Sequence, residues 1–198
     1  MASQQQLIDI PAQTPRMGNR FTAWIGRQGL SILGWRTEGE FPAHRKMVLA
    51  VAPHTSNWDF FIAVFAMLAL RLKLNFLGKH SIFVWPIKGF LLAIGGIPVF
   101  RDKAHGLVEQ MVAQFAQRES LLLALAPEGT RSKVVNWKSG FLHIAHRANV
   151  PVLLVGLDYK RKALVFGPLL EVSENTEQEM QRVREYFGQV SAKHPELA

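Results

Sequence analysis

The sequence predicts an α/β fold with a mostly parallel central sheet flanked by helices. Short runs rich in Val, Leu and Ile alternate with longer helical patterns along the chain. Clusters of polar residues follow several of the apolar runs, where loops at the carboxyl ends of strands would lie. The 198 residues fit a single fold, and no internal repeat or linker divides them.

The chain opens with an amphipathic N-terminal segment. Residues 17–36 combine large apolar side chains, such as Phe21, Trp24 and Ile32, with several arginines. This composition is typical of a helix at a membrane interface, with aromatic rings at the headgroup level. A helix packed on the rest of the domain explains the same pattern, and the glycines of this segment lower the helix propensity. Both interpretations stay open at this point.

The next elements alternate between strand and helix. Residues 46–52, KMVLAVA, form a short Val-rich run that stops at Pro53, as a buried strand would. Residues 57–72 contain no Gly or Pro and are dense in Ala, Leu, Met and Phe, which predicts a buried helix. We then predict a strand at 74–79, a short helix ending at Gly95 and a strand at 97–100.

The second half of the chain continues this alternation. Leu107, Met111 and Phe115 recur at helical spacing and predict an amphipathic helix that lies on the sheet. The remaining predicted elements are a strand from 120 that runs into the turn PEGTRS, a helix at 139–149, strands at 150–159 and 163–172, and a polar closing helix from 176.

Composition limits the classes of partner and site. Twenty-three Lys and Arg against fifteen Asp and Glu leave a net charge of +8, which favours anionic partners such as phosphorylated metabolites, acidic proteins, anionic lipids or nucleic acids. The absence of cysteine excludes disulfides, thiolate metal sites and a cysteine nucleophile. We expect no metal site. No apolar run reaches the roughly 20 residues that a membrane-spanning helix needs, and the first residues do not resemble a signal peptide.

The loop after the first predicted strand holds a candidate catalytic pair. His54 lies in this loop, whereas Asp59 lies in the first turn of the following helix. A neutral imidazole can take a proton from a hydroxyl, and a carboxylate on its other nitrogen fixes the tautomer. The alternative is a purely structural role, in which Ser56 caps the helix and Asp59 only complements the helix dipole. No G-x-S-x-G sequence supplies a serine nucleophile, so the activated hydroxyl would belong to a substrate.

Two further loops carry charge. Arg101 and Lys103 follow GGIPVF, where paired glycines would let the backbone approach a ligand and an arginine could bind phosphate through two hydrogen bonds. A tight turn with solvated charges is the alternative. The loop PEGTRS places Glu128 and Arg131 directly after a strongly apolar run, and turn chemistry accounts for its Pro and Gly but not for these charges.

Four sequence blocks resemble those of a known family. HTSNWD, GGIPVFR, PEGTRS and NVPVLLVGL stand in the order and spacing of the blocks of the glycerophospholipid acyltransferase family, which includes lysophosphatidate acyltransferases. The resemblance covers about residues 48–157, more than half of the chain. It implies the α/β fold of these acyltransferases. The chain departs from the pattern at Pro53, where relatives often have Asn, and in the fourth block, where a second Pro is missing.

The resemblance implies a role for particular residues. His54 corresponds to the general base and Asp59 to its orienting partner. The residues that the family would use to bind the acceptor and its phosphate are Arg101, Glu128, Gly129, Thr130 and Arg131. Further basic residues expected to contact an anionic group are Lys79, Lys103 and Lys133.

The function expected from this resemblance is acyl transfer in phospholipid synthesis. The donor would be an acyl thioester, acyl-CoA or acyl carrier protein, the acceptor a lysophospholipid-like or glycerol-phosphate-like hydroxyl, and no cofactor would be needed. We expect an N-terminal segment at 1–40 and an acyltransferase domain at 41–198. We also expect a cytoplasmic protein bound peripherally to the inner face of the cell membrane, with no nucleic-acid partner. A thioester hydrolase using the same pair, or a non-catalytic basic module that binds membranes, is the alternative.

Overall fold

A computed structural model describes residues 7–99, 106–130, 133 and 137–197 of the chain. Within these residues, seven strands form one sheet and six α-helices accompany it. The strands in chain order are β1 (Arg36–Gly39), β2 (Lys46–Ala52), β3 (Leu74–Lys79), β4 (Gly96–Val99), β5 (Leu121–Leu125), β6 (Val152–Asp158) and β7 (Ala163–Leu170). The helices are α1 (Arg20–Leu33), α2 (Trp58–Leu70), α3 (Lys88–Ala93), α4 (Leu107–Gln117), α5 (Gly140–Ala148) and α6 (Thr176–Phe187).

The sheet is mostly parallel, which confirms the predicted fold class. Its strand order is β1-β7-β6-β2-β5-β3-β4, and every neighbouring pair runs parallel except β6 and β7. These two strands are joined by the short connection 159–162. A connection of that length permits only an antiparallel hairpin, because a parallel pair needs a crossover of about a dozen residues.

Strand β2 shows how the sequence divides the core between the two faces of the sheet. Successive strand residues point to opposite faces. Met47 and Leu49 therefore join the core beneath α1 and α2, whereas Val48 and Ala50 join the core beneath α4, α5 and α6. All four side chains are buried. This burial on both faces explains why residues 47–52 are an unbroken apolar run.

Helix α1 packs on the domain rather than standing apart from it. The Asn19 side chain accepts hydrogen bonds from the N–H groups of Phe21 and Thr22, which starts the helix, and Gly34 ends it with a left-handed φ of 72°. Both of its glycines face α2. A Cβ on Gly26 would lie 2.3 Å from the Ala69 nitrogen, and one on Gly29 would lie 2.5 Å from the Phe65 ring. The glycines therefore allow a close approach of the two helices.

The N-terminal part of the chain also contributes a strand that the sequence pattern did not indicate. β1 is only four residues long, and its sequence RTEG has no apolar run. It pairs with β7 at the edge of the sheet. The proposed division at residue 40 stays a prediction. Within the part of the chain that the structure describes, no helix is long and apolar enough to span a bilayer.

Candidate active site

The candidate site lies where three neighbouring strands end. β6, β2 and β5 are adjacent and parallel, so their carboxyl ends meet at one edge of the sheet. The loop after β2 supplies His54 and leads into α2 with Asp59, the loop after β5 supplies Glu128, and the residue after β6 is Tyr159. The order of the strands therefore brings together residues that are far apart in the sequence.

His54 and Asp59 form a hydrogen-bonded pair. His54 Nδ1 lies 3.1 Å from Asp59 Oδ2. The imidazole is about a third exposed, whereas the carboxylate is buried. With Asp59 ionised, Nδ1 carries the proton and donates it, which leaves Nε2 as the acceptor. The geometry thus suits a base whose free nitrogen can receive a proton from a bound molecule.

Asp59 receives two further hydrogen bonds. The Ser56 N–H donates to Oδ2 at 2.8 Å, and the Tyr159 hydroxyl donates to Oδ1. Burial raises the pKa of Asp59, but the hydrogen bonds from His54, Tyr159 and Ser56 outweigh it and hold the pKa below its ordinary value. The carboxylate is therefore ionised at neutral pH.

The capping interpretation of Ser56 and Asp59 is supported in part, because the N-cap position of α2 is taken by Asn57, whose side chain makes no capping hydrogen bond. The Ser56 hydroxyl oxygen accepts a hydrogen bond from the Trp58 N–H at 3.2 Å, while Asp59 accepts one from the Ser56 N–H. Asp59 therefore stabilises the start of α2 and contacts His54 at the same time. The two interpretations of the sequence are compatible, because one carboxylate oxygen, Asp59 Oδ2, accepts both the hydrogen bond from the Ser56 N–H and the one from His54.

Glu128 holds the loop that carries His54. Its Oε1 accepts a hydrogen bond from the His54 backbone N–H at 2.9 Å. The side chain is buried, and its Oε2 has no hydrogen-bond partner among the described residues. Burial raises the pKa of Glu128, and the backbone hydrogen bond from His54 offsets this only in part. Glu128 is thus a positioning group for the loop, with one oxygen unused.

Tyr159 is a member of the site that our reading of the sequence missed. Its ring packs edge-on against Trp35, with the ring centres 4.9 Å apart, and its backbone N–H donates to the Ser191 carbonyl at 2.8 Å. Burial raises the pKa of Tyr159, as does its hydrogen bond to Asp59, so the hydroxyl stays protonated as a donor. Tyr159 follows a strand directly, and the rule that located the other loops would have found it.

The stretch near residue 194 contacts the same loops. The His194 N–H donates to the buried hydroxyl of Thr55 at 3.3 Å. Lys193 Nζ lies 5.3 Å from the centre of the Trp58 ring, in a cation–π arrangement. These contacts restrain Thr55 and Trp58, which both follow His54 in the chain.

A groove of about 190 Å³ lies beside these residues. Apolar side chains and two lysines line it: Leu33, Trp35, Trp58, Ile62, Tyr159, Lys162 and Lys193. A larger cavity, of about 320 Å³, lies at the amino ends of β3 and β5. That cavity is at the opposite edge of the sheet from His54, so we do not assign it to the candidate site.

The other predicted site residues fall into two groups. Arg101, Lys103 and Arg131 lie outside the described residues. Gly129 and Thr130 follow Glu128 in a turn, and Gly129 has a left-handed φ of 66° there. Lys79 is exposed at the end of β3, and Lys133 is also exposed. The structure therefore unites His54, Asp59 and Glu128 and leaves Lys79 and Lys133 without a contact to them.

We find no candidate metal centre in the described ranges. No three side chains of His, Asp or Glu are close enough there to hold a metal ion. His143 and His146, which share α5, are instead near the Ser139 hydroxyl and the Val172 carbonyl.

Known proteins resemble both the sequence and the fold. The 1-acyl-sn-glycerol-3-phosphate acyltransferase of Limnanthes alba is 25% identical over 154 residues, which cover 74% of this chain and 54% of that protein. The enzyme of the same name from Cocos nucifera is 28% identical over 156 residues, covering 74% and 49%. The chain thus spans about half the length of these curated relatives.

A crystal structure of the 1-acyl-sn-glycerophosphate (LPA) acyltransferase PlsC from Thermotoga maritima has the same fold. It matches with a TM-score of 0.57 and 20% identity, covering 88% of this chain and 81% of that one. The family model described as Acyltransferase matches residues 36–157, which include β1 to β5, all of β6 but its last residue, and the site residues His54, Asp59 and Glu128. This match extends over more than half of the sequence, and the chain therefore belongs to the acyltransferase family.

Proposed function

We propose that this protein transfers a fatty acyl group from a thioester donor to the hydroxyl of a lysophosphatidate-like acceptor. The observation that carries the proposal is the hydrogen bond of 3.1 Å between His54 and the buried Asp59. This pair lies at the carboxyl ends of the central strands, in a chain that belongs to the acyltransferase family. The similarity to 1-acyl-sn-glycerol-3-phosphate acyltransferases supports this type of acceptor.

The proposed reaction begins with deprotonation of the acceptor. His54 Nε2 takes the hydroxyl proton while the acceptor oxygen attacks the thioester carbonyl carbon, and Asp59 stabilises the imidazolium that forms. The tetrahedral intermediate collapses as its C–S bond breaks. The imidazolium returns its proton to the leaving sulfur, which gives the ester and a free thiol. These steps require no cofactor, since the thioester is already activated.

The two substrates bind to different parts of the site: the acceptor to the loops and the acyl donor to the groove. Arg101, Lys103 and Arg131, with Lys79 and Lys133, supply the positive charge for the acceptor phosphate. Glu128 holds the His54 loop, and Gly129 and Thr130 shape the adjoining turn. The groove, with its apolar walls and two lysines, suits part of an acyl thioester, whose tail is apolar and whose carrier is anionic. Both acyl-CoA and acyl carrier protein meet this description.

The reaction takes place at a membrane surface. The acceptor is a membrane lipid, the chain has a net charge of +8, and many large apolar side chains are exposed. We place the protein at the inner face of the cell membrane, bound peripherally.

The decisive experiment measures ester formation by purified protein from labelled lysophosphatidate with acyl-CoA or acyl carrier protein. His54→Ala should lower kcat by about 10²–10⁴-fold, which is the usual contribution of a general base. The matched control is His143→Ala, since His143 is exposed on α5. Near-normal turnover by His54→Ala would refute the mechanism. Release of free fatty acid, with no ester formed when acceptor is present, would instead identify a thioester hydrolase.

A further inference from the structure

The segment between β3 and β4 exposes a dense row of apolar side chains. Ile82, Val84, Trp85, Ile87, Phe90 and Leu92 are each between 41% and 90% exposed, and Trp85 is the most exposed of them. We call these six residues the apolar ridge. Exposed apolar surface of this density usually marks a contact with a protein or a membrane.

The ridge is held in a fixed orientation by residues of the same segment. Phe83, Leu91 and Ile94 are buried and belong to the core beneath α1 and α2. The Phe83 N–H donates to the His80 carbonyl at 3.0 Å, and the Ile94 N–H donates to the Phe90 carbonyl at the same distance. The segment therefore turns a defined apolar face outward while its other face anchors it.

The ridge begins at the edge of the sheet that carries the candidate site. β3 runs parallel to β5, and β5 runs parallel to β2, so the chain leaves β3 at the same edge where it leaves β2 for His54. Neighbouring strands lie about 4.8 Å apart, which places the two strand ends about 10 Å from each other.

A line of aromatic contacts continues from the site toward β3. Ring centres of Trp58 and Phe61 lie 5.9 Å apart, and both rings are about half exposed. Phe60 lies 5.9 Å from Phe61 and 5.8 Å from Phe76 of β3. The exposed apolar surface therefore includes the start of α2, which carries Asp59.

The charges in this region have one sign. From residue 60 to residue 100 the sequence contains Arg71, Lys73, Lys79 and Lys88 and no Asp or Glu. Lys79 and Lys88 are exposed, one preceding the ridge and the other within its span. An apolar surface with basic residues and without acidic ones complements an anionic lipid surface. Two copies of the chain brought together by this face would instead place like charges against each other.

We infer that the apolar ridge inserts into the interfacial layer of an anionic lipid bilayer, with Lys88 at the lipid headgroups, and so holds the candidate site against the membrane. This inference rests on the proposed function, since it assigns the surface from which the lipid acceptor would reach His54. The sequence pattern allowed the N-terminal helix as the membrane contact. We assign the contact to the apolar ridge instead, because α1 exposes fewer large apolar residues than the ridge does.

The test is co-sedimentation with vesicles of phosphatidylcholine, with and without phosphatidylglycerol. The double variant Trp85→Ser/Phe90→Ser should bind the anionic vesicles about tenfold or more weakly than the parent, because two exposed aromatic rings no longer enter the lipid. Lys88→Glu should weaken binding to the anionic vesicles only. Phe21→Ser/Trp24→Ser, on α1, is the matched control and should bind more tightly than the ridge variant.

Three results would overturn the inference. They are unchanged vesicle binding by both the ridge variant and Lys88→Glu, loss of binding confined to the α1 variant, or a parent dimer that the ridge variant converts to monomers. Circular dichroism checks folding of each variant. Failure of this inference can be distinguished from failure of the proposed function. His54→Ala should still bind vesicles, whereas the ridge variant should still turn over a short-chain, water-soluble substrate pair.

Discussion

The Tyr159 hydroxyl donates to Asp59 Oδ1, whereas His54 contacts the other oxygen of the same carboxylate, Oδ2. The two bonds restrain Asp59 from two sides. Tyr159 thus helps to orient the His54 imidazole through Asp59, without a hydrogen bond of its own to His54. This relationship makes Tyr159 a positioning residue in the proposed mechanism.

Replacement of Tyr159 by Phe tests that role. The Phe ring can keep the contact with Trp35, so only the hydrogen bond is lost. We expect kcat to fall roughly threefold to tenfold with KM little changed, as a weakened hydrogen bond to a charged group predicts. The acid limb of the pH–rate profile, which reports protonation of the coupled His54–Asp59 pair, should move to higher pH, because the carboxylate attracts a proton to the pair more strongly once the Tyr159 hydroxyl no longer donates to it. Tyr186→Phe is the matched control, since Tyr186 lies 3.4 Å from a backbone carbonyl, Val165 O. An unshifted acid limb would contradict the role.

Asp59 should make stability depend on pH in the acid range. Its pKa is lower in the folded protein than in the unfolded chain, so its stabilising contribution is complete above the unfolded pKa, about 3.9, and is lost as the pH falls through the folded pKa. Asp59→Asn should therefore be destabilised by about 1–3 kcal/mol at neutral pH, and this deficit should shrink below about pH 4. Urea unfolding across this range measures it. A deficit that stays constant down to low pH would show that the carboxylate charge is not responsible.

Glu128 should have the opposite dependence. Burial raises its pKa, so its contribution is most favourable below the unfolded pKa, about 4.3, and declines as the pH rises through the folded pKa. Glu128→Gln keeps an oxygen for the His54 N–H and does not titrate. Its free energy of unfolding relative to the parent should therefore increase with pH above about 4.3, as measured by urea titration.

The control for that measurement is Glu109→Gln. The Arg147 side chain, which lies 2.6 Å from Glu109, holds the pKa of this exposed carboxyl below its ordinary value. The relative stability of Glu109→Gln should thus change in the opposite direction with pH, or hardly at all. If the relative stabilities of both variants changed with pH in the same direction, the pH dependence could not be attributed to the burial of Glu128.

The contact between α1 and α2 predicts a specific sensitivity to small substitutions. Gly26→Ala places a methyl group 2.3 Å from the Ala69 nitrogen, so the helices must separate. We expect a loss of about 1–3 kcal/mol in the free energy of unfolding. Gly89→Ala is the control, because a Cβ there meets nothing within 4 Å, and it should be neutral or slightly stabilising in α3. Thermal melting of both variants distinguishes these outcomes, and equal melting temperatures would contradict the close approach.

Much of the fold was predictable because the chemistry of its elements is local. β2, β5 and β6 are apolar runs buried on both faces, and each is followed by polar residues, so their place in a parallel sheet could be inferred from sequence. β1 could not, because its four residues owe their strand conformation to pairing with β7. The glycines of α1 indicated a weak helix. Glycine is needed at these positions because of the close approach of α2, which lies more than thirty positions away in the sequence.

The candidate site was partly predictable for the same reason. His54 and Asp59 share one short segment, and their spacing allowed contact if the loop preceded the helix. The position of Tyr159 after a strand could have marked it as a candidate, but its contact with Asp59 was hidden, because Asp59 is 100 positions away and only the adjacency of β6 and β2 brings the two together. The bond from Glu128 to the His54 backbone was also hidden, since a backbone N–H leaves no mark in a sequence.

The strand order has a consequence for refolding. Glu128 meets the His54 loop across 74 positions of chain, and Tyr159 meets Asp59 across 100. Contacts so distant in sequence form late, after the ends of long loops have been brought together. A collapsed chain with native helices would therefore lack the candidate site, which would assemble only when β6, β2 and β5 have docked in register.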